Sequence, residues 1–241
     1  MYERQRGLAV YRHQGKGPQV VLIHGAMDRA AGMLRIARRL KGHAIVRYDR
    51  RGYGRSGSAP PMASFDDQVE DLATVIGGRA SIVFGHSYGG VIALALAQQG
   101  SVPIDAVVVY ETPRAWEAWW PPPAGEGLPA ADAAEQLVRA LAGDAAWETM
   151  PGAAQRARRA EGEALMAELR AQRTRRFDAS LVAVPLTVGV GSASGERTQR
   201  AARLTASEAS HGRLRIVEGA AHAAPMTHPS SIAALIREWL P

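Results

Sequence analysis

The stretch from Ile82 to Ala95, Ile-Val-Phe-Gly-His-Ser-Tyr-Gly-Gly-Val-Ile-Ala-Leu-Ala, sets an apolar run, a Gly-x-Ser-x-Gly and a row of helix formers end to end. Ile82 to Phe84 reads as a buried strand and Val91 to Ala97 as a helix, so Ser87 falls on an abrupt strand-to-helix turn. Such a turn tolerates only small neighbours, and Gly85 and Gly89 lack the Cβ atoms that would collide where the chain doubles back. The serine is left at the tip with its hydroxyl exposed. The amide of Tyr88 sits at a helix N-terminus, where negative charge is favoured. A glycine-rich turn with a solvent-facing serine is the plainer reading, but the flanking strand and helix supply the context that marks a nucleophile.

Upstream, Leu8 to Tyr11 and Gln19 to Ile23 read as two strands about the turn Gly15-Lys16-Gly17-Pro18, a hairpin-like opening. A helical pattern from Ala30 to Leu40 follows, with Met33, Leu34, Ala37 and Leu40 on one face. A strand from His43 to Tyr48 then runs into Asp49-Arg50-Arg51-Gly52-Tyr53-Gly54-Arg55-Ser56-Gly57, a loop dense in glycine and charge. Ser64 reads as the N-cap of a helix through Val69, Leu72 and Ile76 to Gly77-Gly78. Beyond the serine turn come a strand from Ile104 to Tyr110, another from Pro185 to Val190, a helix from about Glu196 to Ala209, a strand from Leu214 to Val217 and a helix from about Pro229 to Leu240. Strands alternating with helices predict an α/β fold with a mostly parallel sheet covered on both faces. From Pro113 to about Ser180 that rhythm breaks. Trp116, Trp119, Trp120, Trp147, the run Pro121-Pro122-Pro123 and alanine- and arginine-rich helical stretches fill the region. We expect residues 113–180 to be a helical insertion in a core made of 1–112 and 181–241.

A chain of 241 residues suffices for one sizeable α/β domain with such an insertion. The absence of cysteine removes disulfides, thiolate nucleophiles and cysteine-ligated metals. No apolar run is long enough to span a bilayer, and Met1 to Arg6 is charged with no apolar stretch behind it, so a cytoplasmic location and no membrane partner are expected. The net charge of +6 raises the question of nucleic acid, all but two of the 29 basic residues being arginine. The stretches Arg156-Ala-Arg158-Arg159 and Arg173-Thr-Arg175-Arg176 interleave with Glu161, Glu163, Glu168 and Asp178 rather than with aromatics. This predicts a solvated helix face and no nucleic-acid partner. The loop 49–57 alternates glycine and arginine, but neither Gly-x-x-x-x-Gly-Lys nor strand-Gly-x-Gly-x-x-Gly occurs, so no nucleotide cofactor is expected.

His24-Gly25 after an early strand, Asp49 to Ser56 after the next, Gly85-His86-Ser87-Tyr88-Gly89 at the elbow and the late His222 in Gly219-Ala220-Ala221-His222 together resemble the α/β-hydrolase superfamily, in its serine-nucleophile, esterase- and lipase-like branch. The resemblance implies a mostly parallel eight-stranded sheet with helices on both faces and a helical cap after the sixth strand, where 113–180 falls. It also implies that His24 and His86 are structural supports, that the 49–57 loop is scaffold, and that the residue after His24-Gly25, Ala26 with Met27 as the alternative, supplies an oxyanion-hole amide beside that of Tyr88.

The same residues make chemical sense as an acyl-transfer site. A serine hydroxyl needs an adjacent imidazole to take its proton, and the imidazole needs a carboxylate to fix its tautomer and stabilise its cation. His222 is the base. The resemblance places the acid after the strand Pro185 to Val190, but the loop there reads Gly191-Ser192-Ala193-Ser194-Gly195-Glu196, with Ser194 where an aspartate is expected. Glu111, at the end of the preceding strand, is the preferred acid and Glu196 the alternative. The plainer reading pairs Glu111 with Arg114 and makes Glu196 a helix-start residue. Trp116, Trp119 and Trp120 are candidates to line the substrate pocket. The expectation is a cofactor- and metal-independent serine hydrolase acting on a small-molecule carboxylic ester, lactone or thioester. A carbon–carbon bond hydrolase or lyase on the same triad, or a non-catalytic ligand-binding protein, is the alternative.

Overall fold

The computed structural model describes residues 2–57, 64–122 and 125–241. Its sheet has eight strands in the order β1-β2-β4-β3-β5-β6-β7-β8. These are β1 (Glu3–Gln5), β2 (Leu8–His13), β3 (Lys16–Ile23), β4 (His43–Asp49), β5 (Ser81–His86), β6 (Ile104–Tyr110), β7 (Leu186–Gly191) and β8 (Gly212–Val217). From β4 to β8 all pairings are parallel, while β2 lies antiparallel to both β1 and β4.

The opening hairpin is therefore β1–β2, not β2–β3. The reason is occupancy: the apolar β3 has both edges taken by β4 and β5, so β2 can join the sheet only across β4. Alternation along β3 divides the core. Val21 and Ile23 face one apolar layer with Val83, Val107 and Val109, and Val20 and Leu22 face the other with Ile82, Phe84 and Val108.

Between strands run α1 (Leu34–Ala37), α2 (Phe65–Ile76), α3 (Tyr88–Ala97), α8 (Glu196–Glu208), α9 (Ala224–Thr227) and α10 (Pro229–Arg237). The helices α4 (Ala130–Ala142), α5 (Asp144–Glu148), α6 (Gly152–Ala160) and α7 (Gly162–Thr174) all lie between β6 and β7. The expected helix over 30–40 shrinks to α1, in which Ile36 and Ala37 are buried and Leu34 only partly covered, with Met33 and Leu40 buried on either side of it. Asp67 accepts the Ser64 amide at 2.9 Å to start α2, and Gly77, at φ 63°, ends it in the left-handed conformation. All ten residues of α3 are buried, because it is pressed between the sheet and α2. Helices α4, α5 and α7 close over the loops after β3 and β4 through Ala134, Val138, Trp147 and Leu165 against Met27 and Tyr53. Pro123, the end of the proline run, lies outside the described residues. Among the described residues no helix is long and apolar enough to cross a membrane.

Candidate active site

Ser87 connects β5 directly to α3 at φ 52° and ψ −123°, a conformation that costs an L-residue roughly 1–3 kcal/mol and persists only where the surroundings enforce it. Two hydrogen bonds enforce it: the Ser87 amide donates to Tyr110 O at 2.9 Å, and the Gly90 amide to Ser87 O at 2.9 Å. Side chains at the flanking glycines would break the turn. A Cβ on Gly85 would come within 2.5 Å of Gly89 O, and one on Gly89 within 2.7 Å of His24 O. Met27 and Glu111, just past β3 and β6, also carry positive φ, at 55° and 50°. Strain is thus gathered at the carboxyl ends of three neighbouring strands, where ligands of parallel sheets bind.

His222 arrives on the loop after β8, and two strand-end side chains fasten that loop. The His86 imidazole donates from Nε2 to His222 O at 2.9 Å, and the Tyr110 hydroxyl to Ala221 O at 3.1 Å. The His222 ring then lies 4.7 Å from that of His86, the residue before Ser87. Its Nδ1 is 2.9 Å from Glu111 Oε2. Glu111 Oε1 accepts the Gly191 amide at 3.1 Å and the Ser194 hydroxyl. The Glu111 side chain is 1% exposed and that of His222 37%, so the pair is dry at one end and open at the other. Burial alone would raise the Glu111 pKa, but the bonds from His222, Ser194 and Gly191 outweigh it and hold the carboxyl below its ordinary value.

The alternatives separate clearly. Glu196 lies in the first turn of α8, exposed, and pairs with Arg203. Arg114, the plainer partner for Glu111, instead binds Glu117 and Glu208 at 2.8 and 2.6 Å. Ser194, at the position where an acid is expected, instead donates its hydroxyl hydrogen bond to the Glu111 carboxylate.

Gly25 lies against the elbow, close enough that a Cβ there would come within 3.1 Å of Ser87 Cβ. Among the described residues the Ala26 and Tyr88 amides donate to no backbone or side-chain acceptor. His24 is fully buried and held neutral, first by burial and then by the Arg50 charge. His86 is held neutral by burial and by His222.

Of the tryptophans, Trp116 packs against the main core and meets Phe177 edge-on at 4.9 Å. Trp119 and Trp120 form a tilted pair at 5.8 Å, covered by Arg200 and Arg197 respectively. Trp120 also borders a small cleft with Ala115, Pro121, Leu169, Gln172 and Arg173.

The arginine stretches lie exposed or half-buried, as a solvated helix face requires, but two of the carboxylates interleaved with them do not. Glu161 and Glu168 are buried. Glu168 accepts from Arg50 and, at 2.8 Å, from the Tyr53 hydroxyl. Glu161 accepts from Arg29 at 2.6 Å and from the Gly54 amide at 2.9 Å. The reason is that α7 lies face-down on the 49–57 loop, and its inward carboxylates answer arginines contributed by the core. The only trace in sequence is that Glu161, Leu165 and Glu168 share a helical face.

Residues 20–235 match the model of the Alpha/beta hydrolase family. Over 107 residues the chain is 30% identical to the "Uncharacterized hydrolase YraK" of Bacillus subtilis (strain 168), covering 42% of this chain and 40% of that protein. Over 108 residues it is 32% identical to the "Lipase LipV" of Mycobacterium tuberculosis (strain ATCC 25618 / H37Rv), covering 43% and 41%. The chain thus aligns with less than half the length of these curated relatives. The crystal structure of an alpha/beta hydrolase from Sphaerobacter thermophilus DSM 20745 superposes with a TM-score of 0.71 at 26% identity over 96% of both chains.

Proposed function

The chain belongs to the alpha/beta hydrolase family, and from that premise we propose that it is a serine hydrolase that cleaves a small to medium carboxylic ester, lactone or thioester through an acyl-enzyme. The observation that carries this reading is the Glu111 carboxylate against Nδ1 of His222, on a loop fastened to the residue before Ser87. An ionised carboxylate there keeps the Nδ1–H tautomer, so Nε2 is free to take the proton of the Ser87 hydroxyl as it attacks the carbonyl carbon. The imidazolium that forms is stabilised by Glu111. The oxyanion is received by the amides of Ala26 and Tyr88, the latter at the N-terminus of α3. His222 returns the proton to the leaving group, and water then repeats the sequence on the acyl-enzyme with the same base. Residues 113–180 act as a cap over this site, with Trp120 at the edge of the pocket. A small-molecule substrate and no cofactor suffice for every step.

The test is labelling with a fluorophosphonate probe alongside hydrolysis of p-nitrophenyl esters of graded chain length and a few lactones. We expect one adduct, on Ser87, and loss of both labelling and turnover in Ser87→Ala with the fold retained. Near-wild-type turnover in that variant would end the reading.

A further inference from the structure

Among the described residues Arg50 is the largest fully buried side chain, and it borders the residues on both sides of the proposed oxyanion hole. Its Nη2 donates to Gly25 O at 2.9 Å and its Nε to His24 O at 2.9 Å. Its guanidinium also lies 5.1 Å from the centre of the Tyr88 ring. His24 adds to the same grip: its Nε2 accepts the Arg50 amide at 2.9 Å, so the proton is on Nδ1, which donates to Gly25 O at 2.8 Å. Gly25 O thus receives two donors at once. In a trans peptide the carbonyl and the next amide point in opposite directions, so fixing Gly25 O inward aims the Ala26 N–H outward, on the side where Ser87 approaches.

The guanidinium is held from two sides: on α2, Gln68 Oε1 accepts from Nη1 at 2.5 Å, and the other partner comes from outside the sheet and its flanking helices. Glu168 on α7 takes Arg50 at Nη1 and, at 3.3 Å, at Nη2, while Tyr53 and Gln68 donate to the same carboxylate at 2.8 and 3.1 Å. Both side chains of the pair are 1% exposed.

We infer that Arg50 and Glu168 are positioning residues for the oxyanion hole: helix α7 reaches through the guanidinium fork to set the Ala26 amide and the seat of Tyr88. This rests on the serine-hydrolase reading. It assigns the helices after β6 a part in the chemical step, in addition to enclosing the substrate. The geometry requires the planar fork, since one cation must serve two carbonyls and a carboxylate together, and an ammonium cannot span all three.

Two variants test it, each first confirmed as folded by circular dichroism. Arg50→Met combined with Glu168→Met removes both charges and fills the space, a replacement that buried pairs often accept without loss of stability. Arg50→Lys keeps the charge and discards the fork. Misplacing one oxyanion donor by about 1 Å is expected to lower kcat by roughly 10- to 100-fold with KM nearly unchanged. Affinity for a trifluoromethyl ketone that mimics the tetrahedral intermediate should fall in step with kcat. Turnover within about twofold of wild type in either folded variant, or a loss confined to KM, would overturn the inference. The wild-type chain is labelled with fluorophosphonate in parallel. A labelled wild type beside unimpaired variants removes this inference alone, whereas an unlabelled wild type removes the serine-hydrolase reading and this inference with it.

Discussion

Glu111 and Glu168 are equally withdrawn from water, one at the end of a core strand and the other on a helix laid over the core, yet their surroundings differ in kind. Glu168 meets a guanidinium that never loses its charge, held up against burial by Glu168 itself, and Tyr53 and Gln68 complete its shell. Glu111 meets an imidazole whose far side is open to solvent. The first pair is complete and the second leaves a nitrogen to spare. On the proposed mechanism, one residue type at one depth serves here as a fastening and there as part of a proton relay, the choice being made by the partner's capacity to change charge.

The largest effect should come from spoiling the open pair. Glu111→Gln is expected to lower kcat by about 10⁴, as neutralising a triad acid does, with little change in melting temperature. Glu196→Gln should leave the rate unchanged, and the reverse ranking in ester hydrolysis would move the acid to α8. Spoiling the closed pair should act on stability first. Glu168→Ala strands the Arg50 charge and should cost about 3–5 kcal/mol, read from urea denaturation. A cost below about 1 kcal/mol would mean that water or another group satisfies Arg50.

A smaller effect tests the serine that supports Glu111. Ser194→Ala removes one of the bonds that lower the Glu111 pKa, so the carboxyl should titrate higher and activity should fall several-fold. In a Glu111→Ala background, Ser194→Asp should restore part of the activity, and no recovery in that double variant would argue that the loop after β7 cannot present an acid to His222. The smallest effect concerns a third carboxylate, which has neither kind of partner. Burial, first of all, pushes Asp28 up to about 6 despite the Arg29 amide and the nearby arginines. Its folded pKa is raised, so the fold disfavours its ionised form. That penalty is complete above pH 6 and vanishes as the pH falls below about 4. Asp28→Asn should therefore melt a few degrees above wild type at pH 8 and level with it near pH 4. A gap independent of pH would assign the effect to packing.

The contrast between the two pairs also divides what the sequence could reveal. Ser87 was legible because a strand and a helix with no linker leave one conformation for the residue between them. The acid could be narrowed to Glu111 or Glu196, because an acid must lie past a strand's carboxyl end. Only the fold brings Glu111 to His222 through a positive φ and sets the Ser194 hydroxyl on the Glu111 carboxylate. The Arg50–Glu168 pair was illegible for a different reason. Its partners are 118 residues apart, and a glutamate among arginines on an amphipathic helix looks the same whether the face meets water or another loop. The strand pairing of the N-terminus was missed likewise, since β2 finds β4 across the sequence of β3.

The loop bearing His222 is joined to the elbow by the two hydrogen bonds from His86 and Tyr110 and is delivered by β8 at the far edge of the sheet. Chains leave the ribosome N-terminus first, so Ser87 and Glu111 are made, and their strands can pair, well before His222 exists. On the proposed mechanism, a nascent chain halted before residue 222 would carry a shaped elbow whose serine lacks its base. On the proposed mechanism, β8 thus brings the imidazole to a place that the earlier strands have already prepared for it.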